Sequence, residues 1–470
     1  MMKIYDTKLE KKVELRPEVD NTLRMYTCGP TIYNFAHIGN LRTYVFEDLL
    51  RRTILFSGMK LFHVMNLTDI DDKTIRSSIA ANLPLKVFTD QFQEAFFEDL
   101  RELNIQPAEV YPAATDHVEE MISMIDSLLN KGYAYTSGDG NVFYRISKFK
   151  EYGALSHICL DELKVGASNR VDLDEYDKEN ISDFVLWKAY EPDRDGDIFW
   201  DSPWGRGRPG WHIECSAMAI KYLGETIDLH VGGVDNIFPH HENEIAQSEA
   251  CTGKCFSRHW MHSYHLIVNG KKMSKSLGNF YTLRDLLEKG YTGREIRYLL
   301  LSTHYRTQLN FTFEGLDGAR QTLRRIDDFV ERMQKIETIN GHFTDVKSLV
   351  EDLKNRFREE IFDDLNISAA ISHLFDFIRK IHSENDQGNI GQKEAQIVLA
   401  TMKELDQILG VVEKKEVPIP KEVLKLFEDR ENARKRKDWA LSDRLRQEIE
   451  TLGFVIEDSR SGSCVKKRLD

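Results

Sequence analysis

Residues 23–69 read LRMYTCGPTIYNFAHIGNLRTYVFEDLLRRTILFSGMKLFHVMNLTD. The opening letters, LRMYTC, alternate in polarity and are rich in β-formers, which predicts a strand. Residues 41–56 repeat their apolar side chains at helical spacing and end at Ser57-Gly58, a favourable helix C-cap. A second apolar run at 60–69 predicts a buried strand. Strand, Gly-Pro turn, helix and strand in this order predict a βαβ unit with a helix N-terminus beside the glycines.

A second unit of the same kind occurs at 226–250, where a strand pattern, a Gly-Gly turn and a helix pattern follow one another. The segment between the two units is richer in Gly, Asp, Tyr and Pro and lacks the βαβ rhythm. We interpret it as an insertion between two halves of one nucleotide-binding fold. The predicted fold class is α/β, with a Rossmann-type parallel-sheet catalytic domain at 1–110 and 205–270 and an inserted subdomain at 111–204.

The second half of the chain is predicted to be mainly helical. None of the 11 prolines falls between Pro239 and Pro418, a stretch rich in Leu, Glu, Lys, Arg and Asp. Residues 353–385 carry apolar side chains at three-to-four spacing, which is typical of amphipathic helices. We therefore expect a helical bundle at 326–412.

The composition bounds the class of protein. The chain has 470 residues, a formal net charge of −13, 30% charged residues and 41% hydrophobic residues. This length suggests about three domains, and the apolar content excludes wholesale disorder. The sequence contains neither an apolar stretch of about 18 residues nor an apolar core in its charged N-terminus, so we expect no membrane span and no secretory signal. Six cysteines form no disulfide framework, which favours a reducing cytoplasm.

The tetrapeptide His37-Ile38-Gly39-Asn40 stands at the predicted strand-to-helix turn. A glycine there lets a base or a phosphate approach the backbone, and a helix N-terminus favours an anion. An imidazole at the turn can donate to phosphate oxygens as negative charge develops. Taken alone, the tetrapeptide also fits a surface histidine that caps a turn, which is the commoner case for so short a motif.

A basic loop is the second chemical signal. Residues 271–279 read Lys-Lys-Met-Ser-Lys-Ser-Leu-Gly-Asn. Lys272 and Lys275, interleaved with hydroxyls and followed by a glycine, suit the binding of a triphosphate. The alternative, a solvated charge run, is disfavoured because this string is rare by chance.

The third signal is a set of dispersed metal-binding side chains. Cys28 ends the first strand, and Cys215 lies in a Gly-Trp-His-Ile-Glu-Cys-Ser motif. His240 and Glu244 are four residues apart and share one face of a helix predicted to start near Pro239. Two thiolates, one imidazole and one carboxylate form a plausible zinc set.

The spacing of these side chains leaves the ligand choice open. The four residues are far apart along the chain, unlike a compact zinc finger, and His241 and Cys255 are rival ligands. Cys251 and Cys255 have the spacing of a metal loop but no second pair nearby, which favours incidental thiols.

The C-terminal part carries a nucleic-acid signal of its own. The stretch 411–422 contains two prolines and is the linker candidate, and a small module is expected at 421–470. Within it, 431–450 carries four consecutive basic residues, Arg434–Lys437, just before Trp439. A basic cluster beside an aromatic side chain suits single-stranded bases, although a solvated amphipathic helix is the commoner reading of such a charge run.

The tetrapeptide and the basic loop together, in this order around a βαβ pattern, resemble the class I aminoacyl-tRNA synthetases. Those enzymes hold ATP between a HIGH tetrapeptide and a KMSKS loop. Asn40 stands where that tetrapeptide ends in His. The resemblance assigns 271–325 to the KMSKS loop and to a region that contacts the tRNA stem.

Further motifs resemble the cysteinyl-tRNA synthetases essentially end to end and in the same order. The matching motifs are Cys28-Gly29-Pro30-Thr31-Ile32-Tyr33, Asn66-Leu67-Thr68-Asp69-Ile70-Asp71-Asp72-Lys73, Gly210-Trp211-His212-Ile213-Glu214-Cys215-Ser216, Gly232-Gly233-Val234-Asp235 and Pro239-His240-His241-Glu242-Asn243. One departure is Ser463-Cys464-Val465-Lys466, where the family commonly ends with Thr-x-Trp-Arg.

The resemblance implies four groups of functional residues. The implied zinc ligands are Cys28, Cys215, His240 and Glu244. The implied amino-acid pocket contains Cys28, Thr68 and Trp211. The residues implied to bind ATP are His37, Gly39, Asn40, Asp235, Lys272, Met273, Ser274, Lys275 and Ser276, with His37, Lys272 and Lys275 acting in catalysis. The residues implied to read the anticodon are Arg434, Trp439, Asp443, Arg446 and Asp458.

The implied protein is a cytoplasmic, monomeric cysteine–tRNA ligase with no membrane partner. Cysteine attacks the α-phosphate of magnesium-bound ATP to give cysteinyl adenylate, and the acyl group then passes to the 3′-terminal ribose of tRNA(Cys). His37 and Lys275 are expected to neutralise phosphate charge, while Lys272 orders the loop. One zinc per chain would select cysteine over serine, because a thiol ionises and binds zinc far more readily than a hydroxyl.

Two other functions are compatible with parts of the sequence. One is a ligase that joins cysteine to an amino sugar, but such enzymes lack the C-terminal module that begins here near Arg430. The other is a non-catalytic relative that binds tRNA or senses cysteine. Such a protein is expected to have lost a phosphate-contacting lysine or a metal ligand, and this chain retains them.

Overall fold

The computed structural model describes residues 1–18, 20–158, 183–337, 344–414, 420–459 and 462–467. The chain divides into two compact units. The first comprises Met1–Leu286 and Tyr291–Val412, and the second comprises Leu287–Gly290 and Glu413–Asp470.

Helices and strands alternate in the first half of the chain, whereas helices dominate from residue 283 onwards. In the described residues the strands are β1 (Lys3–Asp6), β2 (Lys11–Glu14), β3 (Thr22–Thr27), β4 (Lys60–Met65), β5 (Ala134–Thr136), β6 (Val142–Tyr144), β7 (Phe184–Ala189), β8 (Gly207–Pro209), β9 (Ile227–Gly233), β10 (Ser257–Ser263), β11 (Leu266–Val268), β12 (Lys271–Lys272), β13 (Leu309–Phe311), β14 (Phe454–Ser459) and β15 (Gly462–Lys467). The helices are α1 (Ile38–Phe56), α2 (Asp72–Ala80), α3 (Leu85–Glu102), α4 (Val118–Asn130), α5 (Pro192–Asp195), α6 (Trp211–Leu223), α7 (Glu242–Thr252), α8 (Leu283–Glu288), α9 (Gly293–Leu301), α10 (Phe313–Gln334), α11 (Val346–Phe362), α12 (Ile367–Asp386), α13 (Gln392–Leu409), α14 (Lys421–Lys435) and α15 (Trp439–Thr451). None of these described helices is both long and apolar enough to cross a lipid bilayer.

The centre of the first unit is a four-stranded parallel sheet in the order β10-β9-β3-β4. In this sheet Met25 of β3 pairs with His63 on one side and with Leu229 on the other. Leu23 and Met25 are completely buried, as expected for a parallel strand covered on both faces. Helix α1 connects β3 to β4, which confirms the βαβ unit predicted from residues 23–69 and with it the α/β fold class.

The inserted segment carries an antiparallel sheet in the order β5-β6-β7-β8. Leu186 and Trp187 of β7 belong to the same buried cluster as Tyr26 and Val64 of the parallel sheet. The parallel sheet and the antiparallel sheet therefore share one hydrophobic core. The antiparallel sheet continues to β8, beyond the expected boundary at residue 204, and leads directly into α6. Residues 159–182 of the insertion lie outside the described residues.

A three-stranded sheet in the order β12-β11-β13 follows the parallel sheet. Strand β11 pairs antiparallel with β12 and parallel with β13. Ile267 of β11 stands opposite Lys272, so backbone pairing fixes the start of the basic loop. The loop itself then projects from the end of β12.

Helices α10 to α13 form the helical part of the first unit, with Phe329 and Phe357 completely buried. The apolar repeat at 353–385 is divided between α11 and α12. Asp364 and Leu365, between these helices, have φ angles of 64° and 55°. Such left-handed residues end a helix, so the amphipathic pattern continues across a sharp turn.

The second unit contains α14, α15 and a β14–β15 hairpin. Pro420 is the N-cap residue of α14, whereas Pro418 of the predicted linker lies outside the described residues. Five buried side chains form the core of this unit: Val423, Ile449, Phe454, Ile456 and Val465.

Candidate active site

The His37–Asn40 tetrapeptide begins α1 with reciprocal capping bonds. The Asn40 N–H donates to His37 Nδ1 at 3.1 Å, and the His37 N–H donates to Asn40 Oδ1 at 3.2 Å. These bonds satisfy two N–H groups that a helix start leaves unpaired. Because Nδ1 accepts a bond, the neutral ring carries its proton on Nε2 as a donor. The centroid of the Phe280 ring lies 5.2 Å from the centroid of the His37 ring and 5.2 Å from Lys275 Nζ.

Groups from three segments surround the His37 ring. Burial lowers the pKa of His37. The Lys275 ammonium lowers this pKa further, whereas the Asp235 carboxylate acts to raise it. A methyl group on Gly39 would lie 3.3 Å from Met273 Cε, so the glycine lets the basic loop approach the helix start. The structure thus brings together residues that the sequence assigned to ATP.

The Asn279 side chain closes the basic loop. The Ser274 N–H donates to Asn279 Oδ1 at 2.8 Å, and Asn279 Nδ2 donates to the Lys272 carbonyl at 3.2 Å. Lys272 and Lys275 are exposed, so both ammonium groups are accessible to an anionic ligand. Asn279 ends the basic motif, and its closing role was not predicted from the sequence.

Four polar side chains converge at the carboxyl edge of the parallel sheet. The ligand atoms of Cys28, His240, His241 and Glu244, which we name the donor cluster, all lie within 4.8 Å of one another. Cys28 Sγ is 3.2 Å from His241 Nε2, and Glu244 Oε1 is 2.9 Å from His240 Nε2. Thiol, imidazole and carboxylate donors at these separations fit a zinc ion.

Cys215 of α6 is buried against the donor cluster. A hydrogen bond from the Cys28 thiol lowers the pKa of Cys215 to about 6 against the effect of burial, and His240 acts in the same direction. Of the two rival ligands, His241 belongs to the cluster, whereas Cys255 is exposed. The donor cluster therefore contains three of the four predicted ligands together with His241, while the fourth, Cys215, interacts with Cys28 and His240 from α6.

The helix that carries Glu244 begins with a wide helical turn. Phe238 has φ −136° and ψ 131°, which is not helical, and Ile237–His241 form a wide turn before α7 starts at Glu242. Phe238 is the one residue of this turn with non-helical angles, so helical backbone begins near Pro239, as predicted. His240 and Glu244 are four residues apart on this segment and therefore lie on the same face.

Opposite charges stabilise the buried donor cluster. Burial opposes ionisation of Glu244, but His230 and His240 outweigh it and lower its pKa to about 2. Burial likewise opposes protonation of His240, but Glu244 and Cys215 raise its pKa to about 10. Burial raises the pKa of the Cys28 thiol well above its usual value. Binding of a cation here would therefore displace protons from His240 and Cys28.

Three further histidines orient members of the donor cluster. The paired atoms are His230 Nε2 and Glu244 Oε2 at 2.9 Å, His212 Nδ1 and His240 Nδ1 at 2.9 Å, and His262 Nε2 and His241 Nδ1 at 2.8 Å. Outer bonds of this kind fix the direction in which a ligand atom points. These roles were not predicted from the sequence. The available signal is a histidine next to large apolar residues within a strand: His230 lies between Leu229 and Val231 in β9, and His262 follows Met261 in β10.

Of the other two side chains assigned to the amino-acid pocket, Trp211 contacts this cluster directly. The Trp211 ring stacks on His240 with centroids 4.2 Å apart and planes inclined by 20°. Thr68 is buried after β4, and its hydroxyl accepts a bond from Asn66 Nδ2 at 3.1 Å. A methyl group on Gly29 would lie 1.7 Å from the Asn66 carbonyl oxygen. Only glycine allows these two strand ends to approach so closely.

The residues predicted to read the anticodon lie in the second unit. Trp439 begins α15 with 59% of its surface exposed, and Asp443 on the next turn is also exposed. Arg434 and Arg446 donate to the β14–β15 hairpin at 2.9 and 3.2 Å. Asp458 lies in β14, but its side chain is outside the described part of the structure.

Three known families match successive parts of the chain. The tRNA synthetases class I (C) catalytic domain matches residues 14–321, the DALR domain matches 356–413 and the Cysteinyl-tRNA ligase anticodon binding domain matches 417–465. The parallel sheet, the capped tetrapeptide and the catalytic family together define the class. The chain belongs to the class I tRNA synthetases, which are ligases.

Relatives of the chain make the assignment more specific. The chain is 55% identical over 469 residues to the cysteine–tRNA ligase of Protochlamydia amoebophila (strain UWE25), covering 99% of this chain and 98% of that protein. It is 51% identical over 475 residues to the cysteine–tRNA ligase of Chlamydia trachomatis serovar A, covering 99% of each. Within its class, the chain belongs to the cysteine–tRNA ligase family.

A solved structure shares the fold. Mycobacterium tuberculosis methionyl-tRNA synthetase in complex with methionyl-adenylate superposes with a TM-score of 0.58 at 14% identity, covering 83% of this chain and 88% of that chain. The predicted α/β architecture with added helical domains is therefore also that of a known synthetase.

The capping bonds of α1 give a first testable prediction. Asn40→Ala removes the acceptor for the His37 N–H, so we expect a loss of about 0.5–2 kcal/mol in the free energy of unfolding. Urea unfolding followed by circular dichroism measures this change. Asn40→Asp keeps an acceptor oxygen and should retain most of the stability. Equal stability of the alanine variant and the natural protein would contradict the role of this bond.

Proposed function

We propose that the protein joins L-cysteine to tRNA(Cys) in two steps. The cysteine carboxylate attacks the α-phosphate of ATP to give cysteinyl adenylate and pyrophosphate, and the acyl group then passes to the 3′-terminal ribose of the tRNA. One observation carries the proposal: the buried donor cluster lies at the carboxyl edge of the same sheet whose first helix begins with His37. Such an edge is where ligands bind in this kind of fold. Membership of the cysteine–tRNA ligase family supports the same reaction.

The ATP side of the site would act by position and charge. His37 Nε2 is the free donor of a neutral ring, and the Lys272 and Lys275 ammonium groups are exposed. Phosphoryl and nucleotidyl transfer need little covalent help from a protein, so groups that neutralise developing charge dominate. Gly39 lets the nucleotide approach the helix start, and Asp235 faces its ribose. Magnesium enters with the ATP.

The cysteine side of the site fits zinc. Cys28, Cys215, His240 and Glu244 would hold the ion, and the stacked Trp211 ring encloses the His240 side of the cluster. When bound, zinc supplies a soft Lewis acid that takes a thiolate in preference to a hydroxyl, which would select cysteine over serine.

The second unit would bind the tRNA. Its exposed Trp439 follows the four basic residues Arg434–Lys437, and such a pair of features suits base stacking with phosphate contact. We propose that Arg434, Asp443, Arg446 and Asp458 contribute to anticodon reading. The reaction is proposed for the cytoplasm, where reducing conditions keep the ligand thiols free, and for a single chain, since one chain supplies both halves of the site.

Zinc content tests the ligand set. The natural protein, purified without chelator, should contain about one zinc per chain by plasma mass spectrometry. Cys215→Ser should lose most of it, because soft thiolates supply much of the affinity. Cys255→Ser, which changes an exposed thiol outside the donor cluster, is the matched control and should retain the metal. Zinc-free natural protein that activates cysteine at full rate would rule out this assignment.

The basic loop makes a kinetic prediction. Lys275→Ala should slow adenylate formation by a factor on the order of several hundred, or about 3–4 kcal/mol, because its charge acts where negative charge develops. Rapid-quench measurement of adenylate formation at increasing cysteine concentrations gives both the rate constant of this step and the apparent affinity for cysteine. Lys271→Ala, an exposed lysine of the same loop, should change the rate little. An effect confined to cysteine affinity would exclude the proposed role.

Removal of the second unit separates tRNA charging from cysteine activation. A chain ending at Lys414 retains all proposed ATP and zinc residues and should still perform cysteine-dependent pyrophosphate exchange. It should charge tRNA poorly. In the full chain, Trp439→Ala should raise the KM for tRNA. If one base stacks on this ring, the loss of binding free energy should be about 1–3 kcal/mol. Leu424→Ala, another exposed apolar side chain of this unit, is the control. Unchanged tRNA charging after truncation would refute the anticodon role.

A further inference from the structure

The Asn66–Lys73 motif contains three carboxylates with different partners. Asp69 accepts from the backbone N–H of residue 115 at 2.9 Å, and Asp71 caps the start of α2 at 2.6 Å. Asp72, the first residue of α2, instead forms ion pairs with the inserted antiparallel sheet. The mechanism proposed above leaves Asp72 without a role.

Asp72 joins two cations from neighbouring strands. It pairs with Lys188 of β7 and with Arg208 of β8, whose side chains are 16% and 3% exposed. Burial opposes the charged form of Asp72, but Arg208 and Lys188 outweigh it and lower its pKa. Arg208 Nε also lies 3.5 Å from Asp195 Oδ1. Loss of the Asp72 charge leaves Lys188 without this partner and Arg208 with Asp195 alone, so the corner formed by β7 and β8 should shift.

Strand β7 transmits such a shift towards the pocket. Phe184 and Lys188 lie on either side of a β-bulge in this strand, and both line the same cavity. The Phe184 ring meets the His212 ring edge-on, with centroids 5.5 Å apart and planes at 85°. The Gly210 N–H donates to the Leu186 carbonyl at 2.9 Å, which ties the turn before α6 to β7.

Helix α6 then places two side chains against the donor cluster. A methyl group on Gly210 would lie 2.2 Å from the Val185 carbonyl oxygen, so α6 starts in direct backbone contact with β7. Trp211 stacks on His240, and His212 Nδ1 lies 2.9 Å from His240 Nδ1. The first residues of α6 thus depend on β7 for their position and contact a proposed metal ligand.

We propose that Asp72 is a positioning residue for the cysteine pocket. Its ion pairs with Lys188 and Arg208 hold the β7–β8 corner, so that Trp211 and His212 keep their contacts with the donor cluster. One cavity is lined by all five of these residues, which places the ion pairs and the pocket wall around the same space. The inference rests on the proposed function, since it concerns the binding of cysteine.

Asp72→Asn tests this inference, because it keeps the shape of the side chain and removes its charge. In cysteine-dependent pyrophosphate exchange, the KM for cysteine should rise about tenfold, less than the roughly hundredfold loss that a misplacement of about 1 Å can cause. The kcat and the KM for ATP should stay within about twofold, and the zinc content should stay unchanged. Asp90→Asn removes the exposed pair with Lys86 on α3 and serves as the matched control.

A second variant separates loss of the ion pair from a general folding defect. Lys188→Met retains the aliphatic stem and the Asp72–Arg208 pair, so the KM for cysteine should rise less than in Asp72→Asn. The double variant should be no worse than Asp72→Asn alone, because both changes remove the same contact.

The outcomes distinguish the two proposals. An unchanged KM for cysteine in Asp72→Asn, or an equal loss in all kinetic parameters together with zinc loss, would overturn the positioning role. A natural protein that shows no cysteine-dependent exchange at all would instead contradict the proposed function, and the positioning role with it.

Discussion

The buried Glu244 carboxylate is the interaction on which the active-site half of the structure depends. Its Oε1 faces His240 at 2.9 Å and Cys28 at 4.0 Å, while its Oε2 faces His230 at 2.9 Å. A charge without access to water must be paired on all sides. The ends of β3 and β9 and the start of α7 are therefore held at one point. The cluster that satisfies this carboxylate has the composition of a metal site.

Helix α1 connects this site to the rest of the first unit. Its N-terminus carries His37, and its middle carries Asp48, whose carboxylate pairs with Arg52 at 2.7 Å and with Arg297 of α9 at 2.6 Å. The Arg297 Nε donates to the Leu409 carbonyl at the end of α13 at 2.9 Å. Because these groups are buried, the helical bundle is fastened to the helix that orients the ATP-side histidine. Packing of the bundle and position of the tetrapeptide are therefore coupled through one rigid element.

The tetrapeptide and the basic loop could be recognised from the sequence because their chemistry is local. A strand, a glycine turn and a capped helix follow each other within residues 23–69, so periodicity and turn residues suffice to predict the βαβ unit. The donor set is different. Cys28, Cys215, His240 and Glu244 come from three distant segments, and their spacing alone could not separate them from His241 or Cys255. The resemblance to a family selected the set, and their roles as ligands stay a prediction.

The sequence by itself thus determined the fold class, the order of the elements and the residue types available for chemistry, since these follow from composition and short-range pattern. Only the tertiary structure decided which side chains meet. It placed His241 within the donor cluster, paired His212 with His240 and gave Asp72 its partners on the inserted sheet. The physical reason is that contacts between distant segments depend on how buried charges are compensated across the whole core, and local periodicity contains no record of that.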